Sequence, residues 1–228
     1  MRSCNYIMTE YTITNDWHIG SEVCQREKII HFLKGLHTKT LILNGDIIDI
    51  NHTKRLKKKD WEILSLLRKL SKHTRIIYIG GNHDLEVAEL ISELLGFEFK
   101  REFDFELANK KFHITHGDFF DTFISNFPII TEIATGLYYW IQRVSPKKQG
   151  LARALKRQSK GFIKACDKIR KHAEAHAKAN KYDYVICGHT HHYFTSPESP
   201  YVNTGCFTEV DCSYVSINEH GDILFNFI

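Results

Sequence analysis

The sequence predicts an α/β protein in which mixed β-sheets stack as a sandwich and helices lie outside them. Three observations support this fold class. Short runs of β-branched and aromatic residues recur along the chain, segments with helical spacing separate the first three runs, and two hairpin patterns follow later. A strand, a helix and a further strand in succession form the βαβ pattern of an α/β sheet.

Five short apolar runs are predicted to be buried strands. Each is closed by glycine or a polar residue, and each is followed within a few positions by Asp, Asn or His. The runs occupy residues 11–14 (YTIT), 40–44 (TLILN), 75–80 (RIIYIG), 112–115 (FHIT) and 182–186 (YDYVI). Ligand sites in open α/β sheets lie beyond the carboxyl ends of the strands. We therefore expect all five strands to deliver polar side chains to one edge.

Two segments between these strands are predicted to be helices, because their apolar residues recur at helical spacing. In residues 22–36 the apolar face consists of Ile29, Ile30, Phe32, Leu33 and Leu36. In residues 60–73 the apolar residues follow three-residue steps at Trp61, Leu64, Leu67 and Leu70.

Two hairpins are predicted in the later part of the chain. Residues 103–107 and 111–115 flank a short polar turn, and residues 212–217 and 222–228 flank the turn NEHG. Hairpins pair antiparallel, whereas βαβ units pair parallel, so the sheet or sheets are expected to be mixed.

The composition is that of one globular domain spanning residues 1–228. Hydrophobic residues make up 43% of the chain and charged residues 25%. The six cysteines are scattered without a CxxC pair, which favours a reducing, cytoplasmic location over a disulfide framework. We expect no signal peptide and no membrane span, because no apolar stretch is long enough. The net charge of +4 is too small to indicate a nucleic-acid binder by itself.

The residues at the strand ends suggest a metal site. The segment CGHTHH, residues 187–192, carries three histidines directly after a predicted strand. Any one such residue is explained as a turn or capping residue, but their recurrence at five strand ends is not. Oxygen and imidazole donors without thiolate suit Mn²⁺, Fe²⁺ or Zn²⁺. The candidate ligands are Asp16, His18, Asp46, Asn82, His116, His189 and His191.

Taken together, the motifs resemble those of the calcineurin-like metallophosphoesterases. That family reads D-x-H, G-D-x-x-D, G-N-H-[DE], a later H, and G-H-x-H. All five patterns are present here, in order, and the resemblance covers residues 11–228. The motifs stand at Asp16-Trp17-His18, Gly45-Asp46-Ile47-Ile48-Asp49, Gly81-Asn82-His83-Asp84, His116 and Gly188-His189-Thr190-His191.

The resemblance implies a dinuclear metal centre, with Mn²⁺ as the first choice and Fe²⁺ or Zn²⁺ as alternatives. Asp46 would bridge two ions, since a carboxylate has two oxygens and offsets positive charge. Paired ions clamp the attacking and leaving oxygens, and metal-bound hydroxide is the implied nucleophile. The ligands implied for the first ion are Asp16, His18, Asp46 and His191. Those implied for the second are Asp46, Asn82, His116 and His189.

The resemblance also assigns residues beside the ligands. His83 is expected to assist the leaving oxygen as a general acid, and Asp84 to orient its imidazole. Asp49 is expected to support the site without binding a metal, and His192 has no counterpart in the family. The i, i+2 spacing of His189 and His191 is that of a strand and would place both side chains on one side of the chain.

Within the family, the nearest resemblance is to the UDP-2,3-diacylglucosamine diphosphatases of lipid A synthesis. Gly20 follows the first motif, YVNTG stands at 201–205, and 73 residues separate His116 from His189. This gap implies a helical insertion at 119–180 within the single domain, which could form a lid. His83 departs from the Arg of that branch, so the substrate assignment is weaker than the metal core. Protein phosphatases are disfavoured, because their Asp-Arg-Gly is replaced by Asp49-Ile50-Asn51.

The insertion is open to three interpretations. Residues 147–171 carry ten Lys or Arg and one acid, with Leu151, Leu155, Phe162, Cys166 and Ile169 at helical spacing. A basic amphipathic helix could lie peripherally on the anionic inner face of a membrane and admit an acyl chain. It could equally be a solvated helix packed on the core. Nucleic-acid binding ranks third, since basic and aromatic residues do not alternate as in a stacking platform.

The function expected from the sequence is hydrolysis of a phosphodiester or pyrophosphate bond in a small molecule. UDP-2,3-diacylglucosamine or a similar nucleotide-linked lipid is the candidate substrate. The alternatives are a nuclease or cyclic-nucleotide phosphodiesterase of the same superfamily, and a scaffold without activity. The ligand set and His83 argue against the scaffold. The sequence does not indicate an oligomeric state.

Overall fold

The computed structural model describes residues 8–50, 56–121 and 160–228. The strands are β1 (Thr9–Thr14), β2 (Thr38–Asn44), β3 (Arg75–Ile79), β4 (Glu98–Lys100), β5 (Phe103–Leu107), β6 (Lys110–Ile114), β7 (Tyr184–Cys187), β8 (Tyr201–Asn203), β9 (Ser213–Ile217) and β10 (Ile223–Phe227). The helices are α1 (Arg26–Lys34), α2 (Lys58–Leu70), α3 (Leu85–Leu95) and α4 (Lys160–Asn180), with a 3₁₀ turn at Asp118–Phe120.

The strands form two mixed sheets. The first has six strands in the order β10-β9-β1-β2-β3-β4, and the second has four in the order β5-β6-β7-β8. Strands β1 to β4 run parallel, as do β6 to β8, whereas the hairpins β5–β6 and β9–β10 are antiparallel. The predicted βαβ units and both predicted hairpins are therefore confirmed.

The two sheets pack face to face around a shared apolar core. Ile13, Ile42 and Ile77 of the first sheet belong to the same buried cluster as Phe112 and Ile186 of the second. Each of these side chains is inaccessible to solvent, and full burial of such a side chain contributes about 1.5–3 kcal/mol. The sandwich class predicted from the sequence is thus confirmed.

Helices cover the outer faces of both sheets. Ile29 of α1 and Ile63 of α2 are buried against Leu41 on the outer face of the first sheet. On the second sheet, α4 packs Ile169 and Ala173 in a separate cluster. The layers are therefore helix, sheet, sheet, helix. Every helix in the described residues is too short or too polar to cross a membrane.

The structure corrects the face predicted for α2. Trp61 is 61% exposed, whereas Ile63, Leu67 and Asp60 are buried. The predicted three-residue steps drift around a helix of 3.6 residues per turn, while Ile63 and Leu67 are four residues apart and share a face. Asp60 is tolerated inside because Arg26 Nε donates to its Oδ1 at 2.7 Å.

The insertion predicted at 119–180 lies largely outside the described residues, which omit 122–159. Of its predicted apolar face, Ile169 is buried, and Phe162 and Cys166 are partly buried. The bounds of the insertion and its service as a lid remain predictions.

Candidate metal centre

The ends of five strands converge, but they come from two sheets. Strands β1, β2 and β3 belong to the first sheet, and β6 and β7 to the second. The single edge expected from the sequence is therefore an edge shared by the sandwich. Asn44, at the end of β2, links the first sheet to the second, because its Nδ2 donates to the carbonyl oxygen of Thr115 after β6 at 2.9 Å.

A first group of side chains surrounds Asp16. Nε2 of His191 lies 3.0 Å from Oδ1 of Asp16, and Nε2 of His18 lies 3.7 Å from the same oxygen. His18 is also 3.7 Å from Oδ2 of Asp46. One donor atom each from Asp16, His18 and His191 falls within 4.8 Å of the other two, which is compatible with a shared ion.

A second group extends from the other side of Asp46. Nε2 of His116 lies 3.4 Å from Oδ2 of Asp46, and the rings of His116 and His189 have centroids 5.4 Å apart. Nδ1 of His189 is 3.1 Å from Oδ1 of Asn82. Asp46 therefore lies between the two groups, and the structure brings all seven candidate ligands into one region.

The hydrogen bond of His116 to a backbone carbonyl oxygen determines which of its ring nitrogens could bind a metal ion. Its Nδ1 lies 2.9 Å from the carbonyl oxygen of Asn44, which only accepts, so Nδ1 carries the proton. In the neutral ring, Nε2 then directs a lone pair toward the Asp46 carboxylate. Both Nε2 of His116 and Nε2 of His18 are buried without a hydrogen-bond partner among the described residues. Unpartnered ring nitrogens that face buried carboxylates are the donor atoms that a metal ion between them would bind.

The two buried carboxylates favour their ionised form. Burial raises the pKa of Asp16, but His191 and His18 outweigh it and the pKa lies well below its usual range. Burial likewise opposes ionisation of Asp46, and His116 and His18 again lower the pKa. The charge of Asp46 in turn raises the pKa of His116 to about 10 against the effect of burial. Without a metal ion, protons on His116 and His191 therefore balance the charges of Asp46 and Asp16, and a cation bound here would take the place of those protons.

The backbone of the candidate ligands is unusual. The φ angles are +52° at Asp16, +48° at His18, +53° at Asp46, +67° at His189 and +57° at His191. Left-handed conformations in residues other than glycine cost on the order of 1–3 kcal/mol and cluster at functional sites. The expectation of strand-like geometry for His189 and His191 is wrong. Their side chains are directed by two left-handed residues in a loop after β7.

Glycines in the motifs allow close approach of backbone and ligand. A Cβ on Gly45, where φ is +84°, would lie 2.3 Å from Nδ1 of His116. A Cβ on Gly81 would lie 2.3 Å from Oδ1 of Asp46 and 2.6 Å from its backbone nitrogen. A side chain at either position would displace a candidate ligand.

His83 lies at the rim of the site. Its backbone N–H donates to Oδ1 of Asp46 at 2.8 Å, and its Nε2 is 4.0 Å from Oδ2. Burial lowers the pKa of His83, while Asp46 and the buried Asp49 oppose that shift. His83, His18 and Asp46 also offer donor atoms within 4.8 Å of one another, so position alone does not separate a leaving-group role from ligation.

Asp84 has partners other than the expected imidazole. Its Oδ2 accepts from the backbone N–H of Ile47 at 2.6 Å, that of Ile48 at 3.2 Å and the hydroxyl of Tyr78 at 2.6 Å. Its Oδ1 accepts from the N–H of Gly81 at 2.8 Å. Asp84 thus ties the loop after β2 to the loop after β3.

Three residues that the sequence did not single out contact candidate ligands. Oδ2 of Asp121 is 3.2 Å from Nε2 of His189, and Oγ1 of Thr208 is 3.0 Å from Nδ1 of His191. Nδ2 of Asn15 donates to Asp16. The position of Asn15 beside Asp16 was a usable signal, but no local pattern points to Asp121 or Thr208. His192, which has no counterpart in the family, is exposed.

The two-sheet sandwich of this chain has the fold of a metallophosphoesterase. Its Asp, His and Asn donors lie at the strand ends. Residues 10–193 match the family model described as calcineurin-like phosphoesterase. The chain belongs to this family, and membership implies metal-dependent hydrolysis of phosphate esters. Comparison with curated protein sequences gives no match.

Several solved structures are similar over 96% of this chain and 97% of theirs. YfcE, a phosphoesterase from E. coli, is 15% identical with a TM-score of 0.49. A Vps29 single mutant from Entamoeba histolytica is 14% identical with a TM-score of 0.48. A conserved uncharacterized protein from Streptococcus pneumoniae, described as a predicted phosphoesterase, is 15% identical with a TM-score of 0.39.

Proposed function

We propose that the chain holds two divalent metal ions and hydrolyses a phosphodiester or diphosphate bond. The observation that carries this proposal is the convergence of buried carboxylate oxygens and ring nitrogens around Asp46. Nε2 of His116 lies 3.4 Å from Oδ2 of Asp46, and because Nδ1 donates to a backbone carbonyl oxygen, Nε2 is the nitrogen that would bind a metal ion in the neutral ring. A metal ion between them would take the place of the proton that offsets the charge of Asp46 in its absence.

The residues that would hold the ions follow the two groups around Asp46. Asp16, His18 and His191 would hold the first ion, and Asn82, His116 and His189 the second, with Asp46 shared. Bound ions would supply positive charge to the phosphate and lower the pKa of a water molecule that attacks it. Oxygen and imidazole donors favour Mn²⁺, with Fe²⁺ and Zn²⁺ as alternatives.

His83 and Asp84 have different proposed roles. His83 is 19% exposed in its side chain, so it borders both the site and solvent, where a leaving group would depart. It would hold or donate a proton at the leaving oxygen. Asp84 is buried and is a positioning residue, since its four hydrogen bonds fix the loops that carry Asp46 and His83.

The proposed substrate is a nucleotide-linked lipid such as UDP-2,3-diacylglucosamine. A cavity of about 230 Å³ supports an apolar substituent near the reacting phosphate. Thr190 and His192, which flank His191, form part of its wall, and the rest is mainly apolar and comes from α4, from Tyr201 of β8 and from Phe194. Arg170 stands in this wall, but Asp167 at 3.2 Å already offsets its charge, which favours an uncharged substituent.

An activity screen tests the proposed function. Metal-loaded protein is assayed against a phosphomonoester, a cyclic nucleotide, single-stranded DNA and a UDP-linked diphosphate. We expect turnover of the UDP-linked diphosphate, none in Asp46→Ala, and wild-type turnover in Asp104→Ala, which removes a carboxylate outside the site. Turnover of DNA or the cyclic nucleotide alone would establish the alternative phosphodiesterase function. Absence of metal-dependent turnover on all four would contradict the proposal.

A further inference from the structure

Both ring nitrogens of His189 contact polar atoms. Its Nδ1 is 3.1 Å from Oδ1 of Asn82, and its Nε2 is 3.2 Å from Oδ2 of Asp121. The side chains of His189 and Asp121 are only 10% and 15% exposed. The pair is therefore largely shielded from water, which strengthens a hydrogen bond between them.

The Asp121 carboxylate determines which nitrogen of His189 can bind a metal. A carboxylate accepts hydrogen bonds, so Nε2 carries the proton that it donates to Asp121. Nδ1 of the neutral ring then directs its lone pair toward Oδ1 of Asn82, which is also an acceptor. Two acceptors 3.1 Å apart are compatible with two ligands of one cation.

We propose that Asp121 is a positioning residue that orients His189 for the second metal ion. It would fix the tautomer and hold the ring with Nδ1 toward Asn82, as carboxylates behind metal-bound histidines do. This inference rests on the two-ion centre of the proposed function, and Asp121 belongs to none of the motifs that suggested that centre.

The backbone around Asp121 is built to hold this side chain in place. Its N–H donates to the carbonyl oxygen of Asp118 at 2.9 Å, closing the 3₁₀ turn after β6. Phe120 within that turn is buried against α4, and Nδ1 of His172 in α4 donates to the Phe120 carbonyl oxygen at 3.0 Å. The helix thus fixes the turn, and the turn directs Asp121 at His189.

A second Asp–His pair provides a matched control. Oδ1 of Asp104 is 2.6 Å from Nδ1 of His113, and Tyr182 donates to its other oxygen at 2.6 Å. This pair lies on the hairpin β5–β6 and includes none of the candidate ligands. Replacing Asp104 therefore removes a carboxylate–histidine contact of the same chemistry without affecting the candidate metal site.

The test is a Mn²⁺ titration of chelator-treated wild type, Asp121→Ala, Asp121→Asn and Asp104→Ala, followed calorimetrically. Loss of such a carboxylate weakens metal binding by about 10–100-fold. We expect Asp121→Ala to weaken the binding of one of the two ions by that factor and to leave the binding of the other unchanged. Asp121→Asn should show a smaller loss at the same ion, since its amide oxygen still accepts from Nε2. Asp104→Ala should bind both ions like wild type.

Thermal unfolding in chelator separates positioning from stability. A positioning role predicts unchanged unfolding of metal-free Asp121→Ala, whereas a structural role predicts a lower melting temperature. Wild-type Mn²⁺ affinity in both Asp121 variants would overturn the proposal, as would an equal loss of affinity for both ions. Should Asp121→Ala fail to fold, Asp121→Asn alone decides. Wild-type protein that binds fewer than two ions would instead overturn the two-ion centre itself.

Discussion

Replacing Gly81 by alanine tests the packing of the site without removing any candidate ligand. The added Cβ would lie 2.3 Å from Oδ1 of Asp46 and 2.6 Å from its backbone nitrogen. Ordinary contacts to carbon are about 3.5 Å, so Asp46 must move by roughly 1 Å. Its backbone is not free to do so, because its carbonyl oxygen accepts from the N–H of His18 at 3.0 Å.

Such overpacking typically costs about 1–3 kcal/mol. For a chain of this length, 1 kcal/mol corresponds to about 2–4 °C, so we expect the melting temperature of Gly81→Ala to fall by about 2–12 °C. Displacing a shared ligand should also reduce the metal content. Scanning calorimetry in chelator measures the first effect, and elemental analysis of protein purified without chelator measures the second.

Gly161 provides the control for this substitution. It lies in α4, and a Cβ there would meet no atom of the described residues within 4 Å. Alanine stabilises a helix relative to glycine by about 0.5–1 kcal/mol, so Gly161→Ala should melt at the wild-type temperature or slightly above it. Wild-type stability and metal content in Gly81→Ala would refute the close approach of Gly81 to Asp46.

Four further predictions follow from the site and the basic segment. Asp46→Ala should lose more metal than His18→Ala by elemental analysis, because Asp46 is shared; equal content would refute the bridge. His83→Ala should keep both ions and lose about 10²–10⁴-fold in turnover, less for an aryl phosphate, which needs no leaving-group proton; loss of an ion would make His83 a ligand. Protein in chelator should have a free energy of unfolding about 2.7 kcal/mol lower than protein with metal at 100 times its dissociation constant, as measured by calorimetry. An unchanged melting temperature would argue against metal binding. Replacing lysine and arginine by glutamine within residues 147–171 should weaken salt-sensitive binding to anionic liposomes, at about 1 kcal/mol per residue; no binding at any salt would favour the solvated helix.

The sequence by itself determined the strands that carry the site, two of the helices, both hairpins and the identity of the candidate ligands, but it did not predict α3, β4 or β8. An apolar run such as 40–44 is a local signal for a buried strand, and the polar residues directly after it, such as Asp46, must lie near its end. Because parallel strands share an edge, five such endings predict a cluster without knowledge of any long-range contact. The helix 22–36 was likewise predicted from local periodicity, and Ile29 and Phe32 are buried as expected.

Contacts between residues distant in sequence were decided only by the tertiary structure. The site is shared between two sheets because of the way the sheets stack. Hydrophobic burial drives that stacking but has no direction, so the apolar pattern of the sequence does not define which strand ends meet. Asp121 contacts His189 across 68 residues, and the four hydrogen bonds of Asp84 come from two loops and from Tyr78 in β3. Hydrogen bonds do depend on direction and distance, so the partners of a polar side chain are defined only once the chain has folded around it.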